Sequence, residues 1–175
     1  MAIDKDRTVF INSDFTLELS GTIAKQIIEM TVTSIQEPIY VIINSNGGNI
    51  RALRTIKTAL KISTCKIITI IIGVARSSAA ILFLQGDERI MLQNTELLFH
   101  EPRGTYTNAT YLEMLSDTKK CKIDYDFFIN EIVRITTLSK KSVKKRILNI
   151  DYILIPEEAV KIGAATKIIT DISQL

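Results

Sequence analysis

Short apolar runs alternate along the chain with longer segments in which apolar residues recur every three or four positions. The short runs indicate strands, and the longer segments indicate amphipathic helices. Strands are predicted over residues 39–43, 67–72, 88–91, 97–100 and 167–172, with one or two short strands between 8 and 17. Helices are predicted over residues 22–34, 49–62, 77–85, 108–138, 139–147 and 156–163. This order predicts an α/β protein assembled from βαβ units.

Composition and charge narrow the class of protein. The chain has 175 residues, 46% of them hydrophobic, which predicts a single domain over residues 1–175. The net charge is only +3, and no aromatic residues interleave the basic ones, which argues against a nucleic-acid partner. The longest apolar run, 67–74, is far shorter than the ~18 residues of a membrane span, and the N-terminus has no apolar signal segment. We therefore expect a soluble, cytoplasmic protein that binds neither nucleic acid nor membrane.

The two cysteines, Cys65 and Cys121, are far apart in sequence and have no histidine beside them. They lack the C-x-x-C spacing of redox motifs and of zinc sites. We expect both to be small core residues and the protein to hold no metal.

His100 is the only histidine of the chain. It stands at the predicted end of an apolar strand, and in parallel sheets ligands and catalytic groups gather beyond the carboxyl ends of strands. Position therefore makes His100 a candidate catalytic residue.

Ser77 and Ser78 follow another apolar strand and open a predicted helix. A strand-to-helix turn lifts a serine hydroxyl out of the sheet, and the N-terminus of the helix supplies free amides and a positive dipole. Either serine also fits the simpler role of a helix N-cap. The residues alone leave both roles open.

Gly47 and Gly48 lie between the strand at 39–43 and the helix at 49–62. Glycines let the backbone approach a ligand closely, so the Gly48 amide is a candidate donor to a developing oxyanion. The pair also fits a turn that needs positive φ. A phosphate cradle has little support, because the chain has neither G-x-G-x-x-G nor a lysine-bearing P-loop.

Three of these segments resemble motifs of one known family, the Clp protease proteolytic subunits (ClpP), which are serine peptidases of the crotonase-like fold. NSNGG at 44–48 is similar to the family's N-S-P-G-G turn. GVARSS at 73–78 is similar to its G-x-A-A-S-M nucleophile segment, and FHEP at 99–102 to its I-H-Q-P histidine segment.

A fourth segment completes the resemblance. NID at 149–151, followed by PEEA at 156–159 and by Gly163, is similar to the family's D-R-D segment followed by A-x-E-A and a glycine. The four motifs occur in the family's order with compatible separations. The resemblance covers about residues 15–172.

The resemblance implies a set of catalytic roles. Ser77 would be the nucleophile, and His100 would take its proton and later give it to the leaving amine. Asp151 would hold the imidazole tautomer and stabilise the imidazolium. The backbone amides of Gly48 and Ser78 would form the oxyanion hole. Neither a metal nor an organic cofactor is expected.

The resemblance also implies a fold and an assembly. The fold would be the crotonase/ClpP-like repeated ββα superhelix, with a protruding long handle helix at about 108–138. The chain would form homo-oligomers, as stacked heptameric rings, that enclose a chamber for peptides or unfolded proteins. An AAA+ unfoldase is an expected partner in that family.

The chain departs from the family's pattern at several positions. Arg76 stands where the family has a small residue; we expect it either to alter the preference around the scissile bond or, as the preferred alternative, to pair with a carboxylate at a subunit contact. Asn46 replaces a proline and Ala79 a glycine, changes we expect to be tolerated. The segment 103–108 lacks the glycine-rich strand that lines the family's cleft and joins its rings. Few residues precede the first strand, where the family has an axial gate, so we expect a shortened relative of the phage or organelle type.

Two other functions remain open from the sequence. One is a catalytically silent or weakly active structural subunit of a Clp-like ring. The other is a crotonase-type acyl-CoA enzyme, which uses glycine-turn amides in the same fold but is longer and lacks a serine, histidine and aspartate at these positions.

Overall fold

The computed structural model describes residues 3–103, 109–148 and 150–174. The strands are β1 (Thr8–Ile11), β2 (Ile39–Ser45), β3 (Ile67–Arg76), β4 (Glu88–Leu92), β5 (Glu96–Phe99), β6 (Tyr152–Leu154) and β7 (Lys167–Ile169). The helices are α1 (Leu17–Thr33), α2 (Ile50–Ile62), α3 (Ser78–Phe83), α4 (Tyr111–Ile135), α5 (Lys140–Ile147) and α6 (Pro156–Lys161). Single 3-10 turns lie at Lys5–Arg7 and Ile172–Gln174.

The sheet is built around β3. Its main path has the order β1-β2-β3-β4-β7, and all of these pairs are parallel. The first half of β3 pairs with β4 through Ile68–Ile71, whereas the last three residues, Val74–Arg76, pair with β5. β6 adds to the far side of β5 in antiparallel orientation. β3 thus pairs with β4 along its first half and with β5 at its end, so its last residues lie beside the β5–β6 pair.

The core explains why the end of β3 is held firmly. β2 and the first half of β3 are almost wholly buried, as expected of parallel strands covered on both faces. All six residues of α3 are buried, so this short helix lies within the core rather than on the surface. Its first residues are small, which lets the helix backbone approach its neighbours. The turn that joins β3 to α3 is therefore fixed on both sides by buried elements.

The structure corrects three boundaries predicted from the sequence. β3 does not end at residue 72 but continues through Gly73 to Arg76. α1 begins at Leu17 rather than at residue 22, and Thr16 caps it by accepting a hydrogen bond from the Leu19 amide. β7 ends at Ile169 instead of 172.

α4 is the helix predicted over 108–138, and its start is the predicted capping box. The Thr110 amide donates to Glu113 Oε2 at 2.8 Å, and the Glu113 amide donates to Thr110 Oγ1 at 3.3 Å. The buried residues of α4 are Phe128, Ile129, Glu131 and Ile132, all in its C-terminal half. Its N-terminal half carries exposed apolar side chains and projects from the core. None of the helices that the structure describes is long and apolar enough to cross a bilayer.

Candidate active site

Ser77 occupies the turn between β3 and α3 in a strained conformation. Its φ of 54° and ψ of −121° lie outside the regions that L-residues normally adopt. Such backbone strain costs about 1–3 kcal/mol and concentrates at functional sites. Neighbours hold it in place, because the Ser77 amide donates to the Leu98 carbonyl at 3.0 Å and the Ser77 carbonyl accepts from Ile81 at 3.2 Å. The geometry is that of a sharp strand-to-helix turn, the kind of turn on which some hydrolases hold their nucleophile.

The structure separates the two serines left open by the sequence. The Ser77 side chain makes no capping hydrogen bond, although it stands at the N-cap position. Ser78 is fully buried, and its Oγ donates to the Gly48 carbonyl at 2.9 Å. The Ser78 hydroxyl therefore links the glycine turn to the start of α3, whereas the Ser77 hydroxyl is not used in capping the helix.

Gly47 and Gly48 occupy the space between two backbone segments. A Cβ on Gly47 would lie 2.5 Å from the Arg76 carbonyl oxygen and 2.8 Å from the Ser78 amide nitrogen. A Cβ on Gly48 would lie 2.9 Å from the backbone of Phe15, and both glycines have positive φ. A side chain at Gly47 would crowd the Ser78 amide, one of the two predicted oxyanion donors. Positive φ and close backbone approach are thus both required at this turn.

Sheet pairing brings His100 and Asp151 to the same edge as Ser77. His100 directly follows β5, and Asp151 directly precedes β6. Because Phe99 pairs with Tyr152 in the antiparallel β5–β6 ladder, the next positions outward are His100 and Asp151. Arg76, just before Ser77, pairs with Leu98 of β5. Topology therefore collects all three predicted triad positions at one end of the sheet.

Ser77, His100 and Gly48 line one cleft of about 620 Å³. His100 Nδ1 lies 2.5 Å from the carbonyl oxygen of Glu101. The Asp151 carboxylate faces Arg103 instead, with Asp151 Oδ1 3.1 Å from Arg103 Nη2. Within the described residues, no hydrogen bond joins Ser77 to His100 or His100 to Asp151. The roles assigned to these residues, and to the Gly48 and Ser78 amides, stay predictions.

Sequence reasoning missed two cations of this cleft, Arg51 and Arg103. Arg51 lies directly after the glycine turn, and Arg103 directly after the FHEP segment, so proximity to those motifs was the available signal. Arg76 was expected to pair with a carboxylate at a subunit contact. It pairs with a carboxylate of its own chain, Glu96, with Arg76 Nε 2.7 Å from Glu96 Oε1 on the neighbouring strand β5, and its place at a subunit contact stays a prediction. Most of the atypical segment 103–108, and Asn149 of the fourth motif, lie outside the described residues.

The Clp protease family model matches residues 1–172 of the chain. The chain belongs to the Clp protease family. Among curated relatives, the ATP-dependent Clp protease proteolytic subunit 2 of Prochlorococcus marinus (strain MIT 9312) is 25% identical over 171 residues, covering 97% of this chain and 84% of the relative. The ATP-dependent Clp protease proteolytic subunit 1 of Cutibacterium acnes (strain DSM 16379 / KPA171202) is 30% identical over 118 residues, covering 65% of this chain and 55% of the relative.

The fold is also that of a solved Clp subunit. A ClpP1 mutant from Listeria monocytogenes superposes with a TM-score of 0.85 at 26% identity, covering 95% of this chain and 92% of that one. The predicted α/β, crotonase/ClpP-like fold is therefore confirmed. For a member of the Clp protease family, the strained serine and the cleft that it shares with His100 are the features from which a function can be argued.

Proposed function

We propose that this chain is a Clp-type proteolytic subunit that hydrolyses peptide bonds with Ser77 as its nucleophile. One observation carries the proposal: Ser77 sits in a strained strand-to-helix turn, makes no capping bond, and lines the same cleft as His100 and Gly48. Strain at an ordinary N-cap would cost stability for no benefit, whereas a nucleophile needs its hydroxyl turned out of the sheet.

The reaction follows from the chemistry of these groups. Ser77 Oγ attacks the scissile carbonyl while His100 takes its proton, and the C–N bond then breaks as His100 gives that proton to the leaving amine. Water, activated by the same imidazole, hydrolyses the acyl-enzyme. The amides of Gly48 and Ser78 are the proposed donors to the oxyanion, each worth about 3–4 kcal/mol of barrier. Among the described residues, no backbone carbonyl accepts a hydrogen bond from the Gly48 amide in the glycine turn or from the Ser78 amide at the start of α3.

The reaction requires a group that orients the imidazole ring of His100. When Nδ1 carries the ring proton, it donates to the Glu101 carbonyl and leaves Nε2 free to accept from Ser77. We propose that Asp151 leaves Arg103 and takes over this role only when the imidazolium forms during the reaction, so that Arg103 stays paired while peptide binds. The β5–β6 register supports this exchange, because it sets position 151 opposite position 100.

The assembly proposal rests on α4. Its N-terminal half exposes Tyr111, Leu112 and Leu115 at 70%, 73% and 44%. A lone surface helix has no reason to expose this much apolar area, and burial against another copy would remove it from water. We propose that subunits associate through this helix into stacked heptameric rings that enclose the cleft. Peptides or unfolded proteins would be the substrates, an AAA+ unfoldase a partner, and the cytoplasm the location.

One observation favours a second candidate, a structural ring subunit with little activity. The Asp151 carboxylate is engaged by Arg103, so the predicted triad is not closed among the described residues. An inactive subunit would fold and assemble normally but never cleave. The acyl-CoA enzyme considered from the sequence is not proposed, because the family match is to Clp proteases.

Cleavage of internally quenched peptides tests the proposal. We expect Ser77→Ala and His100→Ala to lower kcat by about 10⁴-fold or more, as in other serine peptidases that lose one triad member. Ser173→Ala, which removes an exposed hydroxyl in the C-terminal turn, should cleave at the wild-type rate. Cleavage that survives in Ser77→Ala would refute Ser77 as nucleophile, and a folded wild type that cleaves no peptide would favour the structural subunit.

A further inference from the structure

The charges that line the cleft beside Ser77 are unequal. Among the described residues, three charged side chains line it, Arg51, Arg103 and Asp124. Asp124 is neutralised by Arg54, whose Nη2 lies 2.7 Å from Asp124 Oδ1. Arg103 is neutralised by Asp151 at 3.1 Å. Two of the three charges thus already have partners within the chain.

Arg51 is the charge that remains. No carboxylate of the described residues lies within 4 Å of its guanidinium, and its side chain is exposed. The residues outside the described ranges include no aspartate and no glutamate. In the part of the chain that the structure describes, the cleft therefore presents one positive charge without a carboxylate partner, and Ser77 lines the same cleft.

The position of Arg51 is unfavourable for the fold itself. It lies in the first turn of α2, which contains no acidic residue. The N-terminus of a helix carries partial positive charge, so an anion stabilises this turn and a cation destabilises it. The helix dipole thus offers no reason for an arginine at position 51, whereas a negatively charged ligand in the cleft does.

We propose that Arg51 makes the cleft selective for peptides that carry an acidic side chain beside the scissile bond. This proposal rests on the function proposed above and specifies its substrate class. A substrate carboxylate bound in this cleft would pair with the guanidinium. Arginine suits this task because its planar fork can bind a carboxylate through two parallel hydrogen bonds.

Peptide binding to Ser77→Ala tests the selectivity without requiring catalysis. The probes are two fluorescein-labelled peptides, identical except for a central Glu or Gln, and the readout is fluorescence anisotropy. We expect the Glu peptide to bind about five- to tenfold more tightly, the effect of one ion pair in a partly screened site. The difference should shrink in about 0.5 M NaCl, because salt screens charges near the surface.

Matched variants assign the effect to Arg51. In Ser77→Ala/Arg51→Gln the Glu preference should disappear, while in Ser77→Ala/Lys61→Gln it should persist. Lys61→Gln removes the same charge from the other end of α2, where the residue is exposed and does not line this cleft. Equal binding of both peptides, binding of neither, or a preference that survives Arg51→Gln would overturn the proposal. Peptide cleavage by the wild-type protein reports separately on the proposed function, so the two can fail independently.

Discussion

Gly47 leaves no room for a side chain between the β2–α2 turn and the strained Ser77. The nearest atoms to a Cβ at this position belong to the backbone of Arg76 and Ser78, which cannot move away as a flexible side chain would. The same two segments carry the proposed nucleophile, Ser77, and one proposed oxyanion donor, the Ser78 amide. A side chain at position 47 should therefore lower both the stability of the fold and the rate of peptide cleavage.

Gly47→Ala should lower the free energy of unfolding by about 2–4 kcal/mol, because it adds a backbone clash to an unfavourable positive φ. It should also abolish peptide cleavage. Gly21→Ala is the matched control, since no heavy atom lies within 4 Å of its added Cβ inside α1. That variant should gain about 0.5–1 kcal/mol. Urea denaturation measures both, and equal midpoints for the two variants would contradict the packing described for the turn.

The partner of Asp151 decides how His100 is oriented. If Asp151 serves His100 in the working enzyme, Asp151→Asn should lower kcat by about 10⁴-fold, the loss seen when a triad aspartate becomes an amide. Arg103→Leu should raise kcat several-fold, because it releases the carboxylate. Thermal unfolding should change by no more than about 1 kcal/mol in Arg103→Leu, since the ion pair is exposed.

A double-mutant cycle separates this account from its alternative. In the Asp151→Asn background, Arg103→Leu should have no effect on kcat, because its benefit acts through the carboxylate. If the Glu101 carbonyl orients His100 alone, Asp151→Asn will cleave peptides at nearly the wild-type rate, and the aspartate has no catalytic role.

Among the helices, Glu131 is the buried charge that joins α4 to the core. Its carboxylate pairs with Lys57 of α2, lies 2.8 Å from Nη2 of Arg134, and accepts from Gln85 at 3.2 Å. Burial raises the pKa of Glu131, but the hydrogen bonds from Lys57 and Arg134 outweigh it, so the pKa lies below its usual value of 4.5. A carboxylate with a depressed folded pKa stabilises the fold above its unfolded pKa, and this stabilisation is lost as the pH falls.

Glu131→Gln should therefore lower the free energy of unfolding by about 1–3 kcal/mol at neutral pH, because Lys57 and Arg134 lose their counter-charge. The difference from wild type should hold above about pH 5 and disappear as the pH falls below 4.5. Urea denaturation across this range measures it. Glu29→Gln, on the exposed face of α1, should show little difference at any pH. A penalty for Glu131→Gln that does not vary with pH would show that packing rather than charge is lost.

The elements that the sequence predicts well are those whose signals are local. α2 and α4 have a clear apolar face and capping residues, Asn49 and Thr110, that mark their starts. β3 was predicted to end too early because Gly73 suggested a break. In the fold, Gly73 lies against the side chain of Asn44, whose Oδ1 accepts from the Val74 amide at 3.2 Å. β6 was not predicted, because its three residues become a strand only by pairing with β5.

At the scale of the whole molecule, the candidate site is assembled by sheet pairing between distant segments. The family resemblance predicted that Ser77, His100 and Asp151 belong to one site. Sheet pairing places these three positions at one end of the sheet. The resemblance could not predict that Arg103 would engage Asp151, because this contact depends on the β5–β6 register and on a residue of segment 103–108, which departs from the family's pattern. The single domain over 1–175 and the ring assembly stay predictions.

The exposed apolar half of α4 predicts how subunits associate. Leu112 and Leu115 lie three residues apart on one helix face. Leu112→Glu/Leu115→Glu should reduce the assembled mass in sedimentation velocity, because both side chains would place a charge in the contact. Unfolding of the subunit should change little, since neither side chain is buried within it. An unchanged mass in the leucine variant would exclude this part of α4 as the contact.

The most direct test of the account is to treat the folded, assembled protein with a fluorophosphonate and map the adduct by peptide mass spectrometry. An activated serine reacts with this reagent and an ordinary surface or capping serine does not. We predict one adduct, on Ser77, that is absent in Ser77→Ala and in His100→Ala. No adduct on Ser77, or an adduct that persists when His100 is replaced, would contradict an active site built from Ser77 and His100.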